Sequence, residues 1–366
     1  MVPTAPPQSL DGSRPYLYSN GVRMVPSGKR GTVLGDNMRA FREGLGLNQS
    51  EFAAWLNERL QRKYDKQKIS AWERGAERIP QAVAALLVKD IAAATGASGP
   101  AFIVTVANQK GGVGKTTSAV NLASLLAKAG YRTLLVDADP QANASVHLGI
   151  PVKHLEAEKR TLYYALRDEC ALDDVLVQVE HSGLYVAPSS ITLSEMEVEL
   201  ASEMGADHVL KGCLEGVAKT FDFIVIDTPP NLGRLTVNAL AAAHSVLIPC
   251  QTETLAMLGI ELLMRSVTKA QRRINHGLRV LGILPTMYDK RLTQDRETLA
   301  EMHQTYAGAM RIFPPLPSAT LYPQSVKGGR ALLEAMPDAP GADVYQAVYD
   351  AAVVERRKLL EARHVA

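Results

Sequence analysis

From Phe102 onward the chain alternates between short, unbroken apolar runs and longer stretches whose apolar residues recur at helical spacing. The runs "FIVTVA", "RTLLVDAD", "GLYVAPS", "FDFIVIDTPP", "SVLIPC", "RVLGILPTMYD" and "MRIFPPLP" have the length and Val/Ile/Leu content of buried strands. Between them the spacing predicts a helix from Lys115, one around Leu193 to Lys219, one reaching Ile274 and one after "RVLGILPTMYD". Continuous apolar strands separated by helices belong to a mainly parallel sheet covered on both faces. The expected class is therefore α/β and doubly wound, with ligands bound beyond the carboxyl ends of the strands.

Upstream the pattern changes twice. Residues 1–35 are rich in Pro, Gly and Ser without a sustained period and read as a mostly disordered tail, with one short ordered piece around Tyr16 to Val25. Residues 36–98 turn helical, and the Gly-rich break "GASGP" at Gly96 to Pro100 marks a boundary. The reading is a small all-α domain over 36–98 and the α/β domain over 99–366.

Composition narrows the class. The 46% apolar and 21% charged content is that of a globular chain. No apolar run approaches the roughly 20 residues of a membrane span, and no signal-peptide core opens the chain. Cys170, Cys213 and Cys250 stand far apart without metal or redox spacing, which suits structural thiols in a reducing compartment. A cytoplasmic protein is expected. The net charge of +2 conceals a polarity: 11 Lys/Arg against 4 Asp/Glu between Leu262 and Arg330, and 4 against 11 from Pro151 to Gly205. Such runs commonly just solvate a surface, yet the pair also suits one nucleic-acid face and one face for a basic partner.

The chemistry concentrates in "VANQKGGVGKTTSAVNLA", where a Gly-rich loop leaves a strand and opens a helix. Backbone N–H groups and a helix N-terminus converge there on an anion. Lys115 would reach the β- and γ-phosphates and the Thr116 hydroxyl would ligate Mg2+. The first glycine of the usual G-x-x-x-x-G-K-[ST] pattern is replaced by Gln109, and a second lysine, Lys110, follows it. "LLVDADPQANAS" ends a strand with Asp137 and Asp139 two residues apart, and "FDFIVIDTPPNLG" delivers Asp227 to the same end of the sheet.

"KGGVGKTT" resembles the deviant Walker A motif of the ParA/MinD family of P-loop ATPases, and the resemblance covers roughly Ala101 to Val354. It implies ATP and Mg2+ as cofactors. It also implies a nucleotide cradle of Lys110, Gly111, Gly112, Val113, Gly114, Lys115, Thr116 and Thr117, with Lys110 reaching the partner's nucleotide in an ATP-bound sandwich homodimer. "DADPQ" is similar to the family segment in which one aspartate supports the metal and the next orients the attacking water. That assigns Asp137 to Mg2+ and Asp139 to water. Ala142 stands where relatives often have Gly. Asp227 and the Thr-Pro-Pro after it resemble the Walker B strand and second switch, so Thr116, Asp137 and Asp227 form the expected metal set.

Within the family, "DADPQ" and the basic later portion favour the DNA-partition branch. That branch implies nonspecific DNA binding through exposed basic residues, here Lys290, Arg291, Arg311, Lys327 and Arg330, and a nucleoid-associated protein. It also implies a ParB-type centromere-binding partner presenting a basic peptide, for which Glu195, Glu197 and Glu199 in the acidic segment are candidate contacts. A MinD-like membrane-positioning protein stays open because the C-terminal "AAVVERRKLLEARHVA" is basic and amphipathic, although a helix packed on the sheet explains the same pattern and no membrane contact is expected.

In the small domain, Gln-Ser-Glu-Phe-Ala followed by Ile-Ser-Ala-Trp-Glu-Arg-Gly resembles the phage-repressor (Cro/C1-type) helix-turn-helix family. The resemblance implies operator DNA as a ligand, with Lys66, Gln67 and Lys68 facing base edges and Gln49 near phosphate or base. Phe52, Leu56, Ile69 and Trp72 would form the core. The linking "NERLQRKYD" is longer than the usual turn, so it either extends the first helix or forms a basic wing. A plain helical bundle for dimerisation and a role chiefly as a transcriptional regulator remain alternatives.

Overall fold

The computed structural model describes residues 35–365, apart from 75, 78, 81, 82, 84, 85, 88–98, 180, 203, 204, 254, 255, 320 and 323–327. The expected disordered tail, with its Tyr16 to Val25 piece, lies outside the described residues except for Gly35. The chain divides into two compact units, residues 1–99 and 100–366.

In the first unit, α1 (Gly35–Gly44), α2 (Gln49–Leu60) and α3 (Lys66–Glu73) close around Met38, Phe41, Phe52, Leu56, Ile69 and Trp72. Asn48 caps α2 in a reciprocal capping box with Glu51, and Asp65 accepts from the Lys68 N–H to start α3. "NERL" extends α2, which then stops at Gln61 in the left-handed region; Asn57 braces the turn by bonding both the N–H and the carbonyl of Tyr64. The extra residues of the linker thus become helix and turn. Beneath them the buried Glu73 carboxylate accepts from Arg42 Nε at 2.6 Å and Gln49 Nε2 at 2.8 Å.

The second unit carries a seven-stranded sheet in the order β3-β4-β2-β5-β1-β6-β7. Its strands are β1 (Phe102–Val106), β2 (Thr133–Asp137), β3 (Val177–Gln178), β4 (Tyr185–Ala187), β5 (Phe223–Asp227), β6 (Ser245–Gln251) and β7 (Arg279–Thr286). All pairings are parallel except β3 with β4. That two-residue edge strand, turned back by Gly183 at φ 70°, is too short to leave a periodic signal. The helices used below are α4 (Lys115–Lys128), α5 (Asn143–His147), α6 (Glu195–Ser202), α7 (Val209–Glu215), α8 (Arg234–Ala242), α9 (Ala256–Arg273), α10 (Thr293–Tyr306) and α11 (Ala342–Val365). Two apolar clusters, one per face, sandwich the sheet. Each fully buried Val, Ile or Leu there contributes about 1.5–3 kcal/mol of transfer free energy.

Two expectations need correction. The helix predicted from Leu193 to Lys219 is broken: a 3-10 turn (Ile191–Ser194) leads into α6, and a second (Ala206–His208) precedes α7. Gly205, at φ 78°, makes the break, and Asn238 holds it by donating to Ala206 O and accepting from Leu210 N. "MRIFPPLP" is no full strand but makes isolated parallel bridges, Ile283 to Ile312 and Tyr288 to Pro317. Pro314, Pro315 and Pro317 lack the N–H that a continuous ladder requires. At the C-terminus, α11 buries Val344, Tyr345, Val348, Tyr349, Ala351 and Ala352 in one of the sheet-covering clusters.

Candidate active site

Strand register builds the site. Val106 is the partner of Asp227 across β1 and β5, and Asp137 is the partner of Asp227 across β5 and β2. The Gly-rich loop therefore begins beside two strand-terminal aspartates. Gly112 (φ 75°) and Gly114 (φ 86°) take left-handed conformations that a side chain would strain, and Gly114 opens α4. Neighbouring strands hold the loop: Asn108 Nδ2 donates to Pro249 O at 2.7 Å while Asn108 Oδ1 accepts from Lys110 N, and Thr286 Oγ1 donates to Val113 O at 2.9 Å. At its far end α4 closes with Tyr131 N bonded to Leu126 O and Gly130 N to Ala127 O.

Lys115 is buried, and its ammonium donates to Lys110 O at 2.9 Å. Burial lowers its pKa, while the charges of Asp227 and Asp139 oppose that shift. Lys110 is half-buried and ion-pairs with Glu253, just beyond β6. Thr116 and Thr117 begin α4 half-buried; Gly111 and Gly112 are exposed and Val113 is buried.

The three aspartates differ. Asp137 accepts from Ser145 N at 2.8 Å and Ser145 Oγ at 2.7 Å through one oxygen, and from Asp139 N at 3.3 Å through the other. Burial raises its pKa to about 6 against those hydrogen bonds. Asp139 accepts from Gln141 N at 2.9 Å. Asp227 is fully buried, and neither carboxylate oxygen has a hydrogen-bond partner. Burial, with the Asp137 charge next, pushes its pKa well up, and the nearby Thr116 hydroxyl pulls the other way.

An unpartnered buried carboxylate beside a second one is the observation a divalent cation answers, since it neutralises charge that Lys115 offsets only in part. Thr116 and Asp227 fit that cation. Asp137, in register beside Asp227, is held by Ser145 through one oxygen and accepts from Asp139 N through the other, so it also orients the Asp139 segment.

The predicted DNA contacts are only partly brought together. Lys290 and Arg291 are exposed after β7, and Arg311 is exposed beside the bridge to β7, its guanidinium 5.7 Å from the Phe313 ring. Arg291 is chelated by Asp289 through contacts of 2.6–3.1 Å, which pull the Asp289 pKa down to about 2. Exposed Arg330 lies elsewhere, next to Gly329, which packs on Gly149 behind α5. Lys327 lies outside the described residues. In the first unit Lys66, Gln67 and Lys68 are exposed at the start of α3, with Lys68 paired to Glu77, whereas Gln49 turns inward to Glu73.

The acidic docking residues are engaged inside the chain. Tyr163 Oη donates to Glu195 and Glu199, and Glu197 accepts from the N-terminus of α8. Asn108, Ser145, Thr286 and Glu253 are the contributors that sequence reasoning did not assign to the site. Asn108, Ser145 and Thr286 stand inside the quoted runs "VANQKGGVGKTTSAVNLA", "LLVDADPQANAS" and "RVLGILPTMYD", where sequence alone gave them no role.

A family model described as an AAA domain matches residues 101–280. The chromosome-partitioning ATPase Soj of Treponema pallidum is 43% identical over 230 residues, covering 63% of this chain and 86% of Soj. Among solved structures, the ATP complex of a McdA variant from Cyanothece has a TM-score of 0.63 at 27% identity and covers 69% of this chain and 96% of that one. Cobyrinic acid a,c-diamide synthase of Mycobacterium smegmatis, with ADP and magnesium bound, has a TM-score of 0.60 at 33% identity over 68% and 93% of the two chains. Among the described residues, no helix is long and apolar enough to cross a membrane. Two-fifths identity along most of Soj, on a mainly parallel sheet that gathers a phosphate loop and three aspartates, means that the chain belongs to the Soj/ParA family of P-loop ATPases.

Proposed function

We propose that this ATPase, acting on ATP with Mg2+, is a DNA-partition switch. The loop amides cradle the phosphates, Lys115 meets their charge, and Thr116 with Asp227 holds the metal. Held there, Mg2+ would supply charge neutralisation for the phosphoryl transfer. Asp139 orients the attacking water, and Asp137, held by Ser145, braces the Asp139 turn by accepting from its N–H. The single observation that carries the switch is Lys110. It adjoins the cradle but is tied to Glu253 rather than turned into its own loop, which suits a lysine that serves the nucleotide of a second copy. ATP then drives a homodimer, and the dimer binds nonspecific DNA and so associates with the nucleoid. A ParB-type centromere-binding protein with a basic peptide stimulates hydrolysis and release.

The exposed Lys66, Gln67 and Lys68 support a second role for residues 36–98, binding a specific operator for autoregulation. Inward-facing Gln49 supports positioning Glu73 rather than direct contact with DNA. The burial of the apolar face of α11 in the second unit argues against using it as a membrane anchor.

The test is binding of Asp139→Ala protein to random-sequence duplex DNA at fixed salt without nucleotide, with ADP and with ATP. Tight binding only with ATP is expected. Binding indifferent to nucleotide would overturn the switch and favour the regulator reading.

A further inference from the structure

We infer that Glu197, which belongs to none of the nucleotide motifs, is a positioning residue for hydrolysis: it fixes the far end of the loop that begins at Asp227. The loop over residues 228–233 joins the unpartnered Asp227 carboxylate to the first turn of α8. Its near end is tied by Thr228 Oγ1, which donates to Val106 O at 2.9 Å. Its far end carries the open N–H groups that every helix start exposes, and the N-cap residue, Gly233, has no side chain to meet them. Glu197 supplies the cap from another element. Its carboxylate accepts from Arg234 N at 2.7 Å and Leu235 N at 3.2 Å, one through each oxygen.

The fit is close enough to explain the glycine. A Cβ at Gly233 would lie 2.6 Å from both Glu197 carboxylate oxygens, so a side chain there and the Glu197 cap exclude one another. The φ of Gly233, −73°, is ordinary, so it is the space held by the Glu197 carboxylate, and not the backbone conformation, that a side chain there would contest. Met196 and Leu200, buried on either side of Glu197 in sequence, root α6 in the core and make the cap a fixed point. Secondary contacts complete the clamp: Thr236 Oγ1 donates to Asn231 O, and Gly233 N donates to Asn231 Oδ1. With both ends fixed, the loop holds its shape beside the Gly-rich loop, where the nearest atom to a Cβ on Gly111 would be Pro230 Cβ at 3.7 Å. Releasing the distal end lets residues 228–233 drift relative to the phosphate site while Lys115 and the loop amides still hold nucleotide.

The inference rests on the hydrolytic reading of the site, and the parent protein is measured first: failure of the parent to bind or turn over ATP would sink that reading, not this one. The comparison then uses the full chain as Glu197→Ala, Gly233→Ala, the two combined, and Glu197→Gln. Single-turnover hydrolysis is measured beside nucleotide affinity and thermal melting. Glu197→Ala is expected to slow hydrolysis about tenfold, the scale of a lost cap expressed as a rate, with nucleotide affinity within about twofold. Gly233→Ala does the same by evicting the carboxylate. The double variant is no slower than Glu197→Ala, because the shortened side chain leaves room for the methyl. Glu197→Gln, keeping one acceptor oxygen, recovers to within about threefold of the parent.

An unchanged rate in either alanine variant, multiplied losses in the double variant, or an affinity loss equal to the rate loss each overturns the assignment. If Glu197→Ala does not fold, Gly233→Ala decides: slowed hydrolysis with retained affinity supports the cap, and parent-like hydrolysis refutes it.

Discussion

Arg356→Met is the substitution whose consequence the structure fixes most closely. Arg356 is buried on α11, with Nε donating to Asp222 O at 3.0 Å and Nη2 to Asp222 Oδ1 at 2.6 Å. The other Asp222 oxygen accepts from Arg132 N at 3.0 Å. Met keeps much of the apolar stem and the packing near Tyr131 and Phe223, whose ring centres lie 5.8 and 5.5 Å from the guanidinium carbon. It leaves the buried carboxylate without its cation. Breaking one side of such a pair costs about 3–5 kcal/mol.

The pH dependence has a definite sign. Burial already raises the Asp222 pKa, with Arg356 the main opposing influence, so removing the cation raises it further. A carboxyl with a raised folded-state pKa contributes stability below its unfolded value that is lost as pH climbs through the folded value. The deficit of the variant should therefore be smaller near about pH 5 than near about pH 8, where the lone carboxylate must ionise or the helix must release.

Urea unfolding of parent, Arg356→Met, Asp222→Asn and the double variant measures this directly. The double variant is expected to recover most of the loss, because two groups removed together leave no orphan charge. Additive losses, or a deficit that shrinks as pH rises, refute the argument.

Lys110→Ala should retain nucleotide binding, since Lys115 and the loop amides remain, but lose ATP-dependent dimerisation; sedimentation with and without ATP decides, and dimers at parental ATP would refute the role in trans. Asp227→Asn removes the incompletely compensated buried charge, so the nucleotide-free variant should be more stable by about 1–3 kcal/mol while losing Mg2+-dependent nucleotide binding. Denaturation and nucleotide titration with and without Mg2+ test the two halves. Because Asp289 already neutralises Arg291, Arg291→Ala should weaken nonspecific DNA binding less than Lys290→Ala does, and should leave the salt dependence of binding nearly unchanged.

Much of the α/β unit was legible because its signals are local. Continuous apolar strands, and glycines at positions where the chain needs positive φ, can be read residue by residue. The helix assigned to Leu193–Lys219 failed because the interruption depends on Asn238, a residue distant in sequence that competes for the backbone at Ala206 and Leu210. The edge strand β3 failed because two residues carry no period. Lys290, Arg291, Arg311 and Arg330 are exposed as their charge suggests, but the ion pair of Arg291 with Asp289, two positions before it, is not written in the charge pattern. Gln49 shows the same limit: its position was read, but the acceptor that turns it inward, Glu73, comes from the next helix.

The three aspartates separate what a motif fixes from what only packing decides. Equal spacing along the chain gave Asp137 and Asp139 similar standing, and the strand end of Asp227 gave it a third place beside them. In the fold, Asp137 and Asp227 are neighbours in strict register, equally buried, yet one accepts three hydrogen bonds and the other has only the nearby Thr116 hydroxyl. Two carboxylates that close in a low-dielectric site cannot both ionise cheaply. The hydrogen bonds from Ser145 favour the charge on Asp137, and so leave Asp227 to be resolved by protonation or by a cation. Ser145 also accepts from Ser189 N, which ties that choice to the end of β4. The balance of charge between the two carboxylates thus depends on a hydroxyl eight residues beyond the aspartate it serves, and a change at Ser145 should redistribute that charge.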